Sequence, residues 1–262
     1  MAAVDHTRRA PKTRVFLDSR AGAGERVELP AGEANHIFKV LRAREGDIIE
    51  VVNPDRSLML AEVRGDARRA EAGVLEEISA PEASSARITL YQAVPKGKHM
   101  DLVVEKATEL GVERIVPLLT EHGEVRPGGE KPERWRRLAE AAARQSLQLR
   151  VPQVSEPESL REAAREASEA GVMLHNAPEL SVLEDSVSGG STVGLFVGPE
   201  GGWSEEELGI ASGFGVRIAQ MGPYRLRAET AGVVAVARAE ARLRSLGVNH
   251  SSQRTRTQKE VG

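Results

Sequence analysis

The chain has no cysteine. That excludes disulfides, thiolate metal sites and a thiol nucleophile together, and it fits a reducing compartment. Aromatic residues are nearly as scarce, at 3% of 262. A core must therefore be filled mainly by Val, Leu, Ile and Ala, and nucleic acid cannot be held by a broad stacking platform. No apolar run approaches the roughly 20 residues of a membrane span, and MAAVDHTRRAPKTR lacks the apolar centre of a secretory signal. A soluble, cytoplasmic protein is the expectation. The six histidines show no HExxH or comparable ligand spacing, so no metal site is expected. The absence of GxSxG and of a GxGxxG that opens a helix weakens hydrolase and Rossmann readings.

The length suits one large or two smaller domains, and 40% hydrophobic residues are ample for a core. The net charge of −3 hides an uneven distribution. Residues 1–44 carry nine Lys/Arg against five Asp/Glu, residues 155–210 two against twelve, and residues 211–262 nine against three. Two basic ends around an acidic stretch suit an RNA backbone or solvated faces.

From Thr13 to about Ile78 the pattern is short and punctuated by turns. TRVFLD, DIIEVVN, SLMLAEVRG and AEAGVLEEI read as strands of a small β-barrel. AGEANHIFKVLRA reads as a helical insert, with Ile37, Val40 and Leu41 at helical spacing and His36, Lys39 and Arg42 near one polar side. SAPEASSA, residues 79–86, reads as a linker. Strands then alternate with helices, as in an α/β domain with a largely parallel sheet. The final helix, RAETAGVVAVARAEARLRSL, is rich in valine, and residues 249–262 read as a disordered tail.

In parallel α/β sheets ligands gather beyond the carboxyl ends of strands. Three loops leave such ends: LHNAPE (174–179), GPEGGWS (198–204) and MGPYRLRAET (221–230). GPEGG lacks the Gly-Lys-Ser/Thr ending of a phosphate loop. Ser204 and Glu207 form a Ser-x-x-Glu capping box, with Glu205 and Glu206 adding negative charge to the same helix N-terminus. A phosphate would compete with three carboxylates there, so the loop suits a neutral or cationic ligand such as S-adenosylmethionine; taken alone, a tight packing turn fits equally. Arg225, Arg227 and Glu229 stand beside the valine-rich helix, as a surface pair or as site residues. VPKGKHMD places Lys96, Lys98 and His99 after the first α/β strand, as phosphate contacts or as a basic helix cap. His175 is either an ordinary strand-end histidine or, if the three loops meet, a site residue.

Together these stretches resemble the SPOUT (α/β-knot) methyltransferases, and specifically the family that methylates N3 of a uridine in 16S ribosomal RNA. HIFKVLRAREGD resembles the family's N-terminal PUA-like barrel. KGKHMDLVVEKATELGVERIVPL, ERWRRLAEAAARQS with RVPQV, LFVGPEGGWSEEE and MGPYRLRAETA follow in the family's order and spacing.

The resemblance implies a PUA-like β-barrel over residues 1–80 and a SPOUT α/β domain over 87–248 with a deep trefoil knot. It also implies a homodimer that the valine-rich helix helps to form; its Val233, Val234 and Val236 suit burial within one chain or between two. It places S-adenosylmethionine against Leu174, His175, Gly198, Gly201, Met221 and Leu226. Catalysis is then expected from Arg227, a fixed guanidinium beside the cofactor loops that stabilises developing negative charge, with Glu229 and Thr230 orienting it. RNA contacts are expected from Arg14, His36, Lys39 and Arg42, with Lys96 and Lys98, on 16S rRNA of the small ribosomal subunit. The chain departs from the family at Tyr224, where arginine is usual, at Leu147-Gln148 in place of Gly-Arg, and at His122 in place of arginine. The rival expectations are a SPOUT ribose 2′-O-methyltransferase of tRNA or rRNA and a non-catalytic ribosome-assembly protein that binds RNA.

Overall fold

The structure is a computed structural model that describes residues 11, 13–30, 32–79, 87–125 and 128–247. Residues 80–86 of the expected linker and the whole expected tail lie outside the described residues. Two compact units are present, one of residues 1–81, 101–113 and 128–155, the other of residues 82–100, 114–127 and 156–262.

In the first unit β1 (Arg14–Phe16), β2 (Arg26–Glu28), β3 (Ile48–Val52), β4 (Leu58–Gly65) and β5 (Ala70–Ile78) form one sheet in the order β1-β3-β4-β5-β2. β1 and β3 run parallel, and the other neighbours are antiparallel. Period-two alternation sends Ile49, Val51, Ala61, Val63, Ala72 and Val74 into one core, as expected of a sheet with one buried face. β1 and β2 are the terminal strands, so the sheet is a half-barrel. β2 escapes detection in the sequence because RVE is only three residues long and two of them are charged.

The expected helical insert is one α-turn, α1 (Glu33–Asn35), running directly into a π-helix at His36–Val40. The Leu41 N–H donates to the His36 carbonyl at 3.0 Å, an i to i+5 bond. A π-turn holds more residues than an α-turn, which shifts the apolar phase. Ile37 is therefore fully buried, whereas Val40 is 62% exposed. Arg42 ends the turn at φ 53°.

The remaining strands, in chain order, are β6 (Arg87–Ala93), β7 (Arg114–Leu119), β8 (Gln153–Val154), β9 (Glu158–Ser159), β10 (Gly171–Leu174), β11 (Thr192–Val197) and β12 (Arg217–Ala219). The helices are α2 (His99–Glu109), α3 (Lys131–Gln145), α4 (Leu160–Ala167), α5 (Leu183–Ser186), α6 (Glu205–Gly213) and α7 (Ala228–Ser245). α3 lies in the first unit and buries Trp135, Ala139, Ala142 and Ala143, spaced as one helical stripe. Its Trp135 Nε1–H donates to Asp101 in α2 at 3.2 Å.

In the second unit the order β12-β10-β11-β6-β7 is parallel throughout, with β9 also parallel to β7. Strands buried on both faces read as continuous apolar runs, as GVML and GLFV do. One face is filled by Leu160, Ala163 and Ala164 of α4 and Ala211 of α6 against Met173, Tyr91 and Phe196. The rings of Tyr91 and Phe196 stack at 4.4 Å. Burial pushes the Tyr91 hydroxyl up to about 12. α7 packs on β6 and β11.

Candidate functional site

Register brings the three loops together. Leu174 pairs with Val197 on one side and with Ala219 on the other, so β10, β11 and β12 end at one level and their loops leave side by side. They enclose a cleft of about 590 Å³ lined along residues 174–176, 197–203 and 221–228. All six residues expected to hold the cofactor line it: Leu174, His175, Gly198, Gly201, Met221 and Leu226.

The loops are fastened to one another. Trp203 Nε1–H donates to the Leu174 carbonyl at 2.9 Å, the His175 N–H to the Ala219 carbonyl at 2.9 Å, and Arg225 Nη2 to the Glu200 carbonyl at 2.7 Å. A Cβ on Gly198 would stand 3.0 Å from the Trp203 indole, and one on Gly201 would stand 2.9 Å from the His122 Cβ. Gly202 adopts φ 76°, a left-handed turn that favours glycine. GPEGG is thus a close approach of backbone to two side chains as well as a turn.

The capping box forms in both directions: the Glu207 N–H donates to Ser204 Oγ at 3.2 Å and the Ser204 N–H to Glu207 Oε2 at 2.9 Å. The other oxygen of buried Glu207 accepts from the Glu121 N–H at 2.9 Å, which ties the loop after β7 to the start of α6. α7 differs. Arg227 is its N-cap, extended at φ −67° and ψ 152°, and among the described residues no side chain caps the helix. The positive end of α7 therefore opens beside Arg227 and Ala228 in the cleft lining.

Arg227 is exposed on the cleft and, among the described residues, its side chain makes no hydrogen bond or ion pair. Thr230 is also exposed. The Glu229 carboxylate is buried and lies 3.5 Å from His99 Nδ1. The expectation that Glu229 and Thr230 orient Arg227 is not met by any hydrogen bond among the described residues.

Of the expected RNA contacts, Lys39, Arg42 and Lys98 are exposed. Lys96 is exposed too, with its ammonium 2.7 Å from Glu124. His36 is half-buried, and burial together with the nearby Arg144 guanidinium lowers its pKa. Arg14 is a correction. Its side chain is 3% exposed, pairs with Glu50 at 2.7 Å and donates to the Leu147 and Gln148 carbonyls. A guanidinium so enclosed holds the protein together and is not available to a phosphate.

Sequence reasoning missed several residues that shape the site. Trp203 was visible only as the residue after GPEGG. Arg238 donates to the Met221 carbonyl and pairs with Glu184, so α7 and α5 hold the third loop. An arginine within a valine-rich helix was the available signal. Val236 of that helix is buried within the chain, and Val233 and Val234 are half-buried.

A parallel sheet with its cleft at the strand ends, joined to a separate half-barrel, defines the class. Residues 82–240 match the RNA methyltransferase domain and residues 29–75 the RNA methyltransferase PUA domain. The first match alone spans more than half of the chain, which therefore belongs to this family of RNA methyltransferases.

Within that class the resemblance is to proteins named ribosomal RNA small subunit methyltransferase E. The Synechocystis protein of that name is 31% identical over 225 residues, covering 84% of this chain and 74% of the relative. The Aquifex aeolicus protein is 32% identical over 211 residues, covering 79% and 91%. The Neisseria gonorrhoeae methyltransferase E, solved bound to S-adenosyl methionine, superposes with a TM-score of 0.80 at 29% identity, covering 87% of this chain and 97% of its own.

Proposed function

We propose that the protein transfers a methyl group from S-adenosylmethionine to N3 of a uridine in 16S rRNA of the small ribosomal subunit. The observation that carries this reading is the cleft at the ends of β10, β11 and β12, with Arg227 and the uncapped start of α7 on its lining.

The residues present fit the cofactor. The cleft is within the usual range for a small-molecule site, about 300–1,000 Å³, and its lining comes from the three loops, with Gly198, Gly201, Gly202 and Gly222 among its residues. Leu174, His175, Gly198, Gly201, Met221 and Leu226 would hold it. S-adenosylmethionine supplies an electrophilic methyl group on a sulfonium.

Uracil N3 carries a proton at neutral pH, so attack requires the imidate anion. Arg227 stabilises the negative charge developing on the base. The three fastened loops fix the geometry, which supplies much of the remaining acceleration. Because Glu229 is buried against His99, we assign the departing proton to solvent, with Glu229 keeping His99 and the start of α7 in place.

Docking of the RNA falls to residues 1–80 through His36, Lys39 and Arg42, and to Lys96 and Lys98 from the transferase domain, residues 87–248. The reading includes a trefoil knot in that domain, a homodimer using α7 and a cytoplasmic setting. No helix among the described residues is long and apolar enough to cross a membrane.

The test is incubation with methyl-deuterated S-adenosylmethionine and unmodified small ribosomal subunits, followed by nucleoside mass spectrometry. Labelled 3-methyluridine is expected. Labelled 2′-O-methylated nucleoside would move the protein to the ribose-methylating SPOUT enzymes. No label on subunits, naked rRNA or tRNA would make it a binding protein.

A further inference from the structure

Seven of the chain's eight aromatic side chains are buried or half-buried, and the eighth, Tyr224, is 83% exposed. It stands on the lining of the cleft in the loop after β12. A lone aromatic ring left in water at the mouth of a site has no packing role in its own chain.

The loop beneath it is nonetheless held on both sides. Before Tyr224, the Met221 carbonyl accepts from Arg238, and the Gly222 N–H donates to Gln220 Oε1 at 2.8 Å. After it, Arg225 is tied to the Glu200 carbonyl at 2.7 Å. The ring is thus presented from a fixed backbone, which lowers the ordering cost of any partner it meets. Arg225 and Arg227 are on the same lining. An exposed aromatic face on a lining that also carries guanidinium groups matches an unpaired nucleobase and its phosphates.

We infer that Tyr224 is a positioning residue on which an unpaired nucleobase of the substrate RNA stacks at the mouth of the cleft. The inference rests on the rRNA methyltransferase reading above and adds to it the means by which a splayed base is received.

The test compares full-length wild type with Y224A, Y224F and Y224W on unmodified small ribosomal subunits, measuring kcat and KM for the subunit, with cofactor affinity by calorimetry. Loss of one stacked base is expected to raise the Y224A KM by about tenfold or more. Y224F and Y224W should stay within about twofold of wild type, because they keep an aromatic face, and cofactor affinity should be unchanged in all three. An unchanged KM in Y224A would overturn the inference. So would a Y224F as impaired as Y224A, which would assign the role to the hydroxyl, or a defect confined to cofactor affinity. Wild type that binds S-adenosylmethionine but methylates no RNA would remove the underlying reading and this inference with it, whereas active wild type with an indifferent Y224A removes only the inference.

Discussion

The indole N–H of Trp203 donates to the carbonyl of Leu174 at 2.9 Å, and the same ring lies where any side chain on Gly198 would have to go. One buried residue therefore fastens the loop after β11 to the end of β10. It also sets which residue can occupy the start of GPEGG.

Trp203→Phe should keep the packing but strand the buried Leu174 carbonyl. A stability loss of about 1–3 kcal/mol is expected from the unpaired acceptor, read by thermal or urea denaturation. Calorimetry should show weakened S-adenosylmethionine binding as well, because the loop it fastens lines the cleft. An equally stable variant with wild-type affinity would mean that the loop positions itself without this bond.

Arg227→Ala should lower kcat by about 10²–10³-fold, the usual cost of removing one preorganised charge-stabilising donor. Since the Arg227 side chain makes no hydrogen bond or ion pair among the described residues, stability should barely change. Cofactor affinity should hold within about twofold. Single-turnover kinetics with subunits in excess isolates the transfer step, and near-normal turnover there would remove Arg227 from catalysis.

Arg14→Ala and the double reversal Lys39→Glu, Arg42→Glu should separate structure from RNA contact. Arg14 is enclosed against Glu50, so its loss should cost about 3–5 kcal/mol of stability, as for a broken buried pair. The double reversal should leave stability alone, weaken RNA binding and flatten its salt dependence. A titration of subunit binding against salt concentration checks both, and an unchanged slope in the double variant would count against the half-barrel as the docking surface.

The hydrogen bonds from Arg238 hold the Glu184 carboxylate below its ordinary value of 4.5. A carboxylate with a depressed folded-state pKa adds stability that is complete above the unfolded value and is lost as pH falls through the folded one. Wild type should therefore lose stability more steeply than Glu184→Gln below about pH 4.5, with the two curves parallel near neutrality. Denaturation midpoints across pH 3–7 give the comparison. Parallel curves throughout would show that the pair contributes nothing through its charge.

Much of the architecture was legible in the sequence because it depends on local periodicity. DIIEVVN, SLMLAEVRG and AEAGVLEEI alternate with period two and became β3, β4 and β5, while the apolar runs GVML and GLFV became strands buried on both faces. The capping box of Ser204 and Glu207 was readable for the same reason, since both partners lie within one helical turn. The insert at residues 33–40 marks the limit of such reading. Its composition suits an α-helix, but an i to i+5 bond set by the surrounding core turned Val40 to solvent.

The sequence by itself determined most of the strands and helices, the acidic start of α6 and the candidacy of three loops, because each is written in residues within a few positions of one another. Only tertiary structure decided that these loops meet, since the common register of Leu174, Val197 and Ala219 is a property of strand pairing across 46 residues. It also decided which charged side chains are free. Arg14 and Arg227 are the same residue type in basic segments, yet one is enclosed by Glu50 and two carbonyls while the other stands open on the cleft. Whether a charge is solvated or paired depends on groups distant in sequence, and folding alone brings those groups into place.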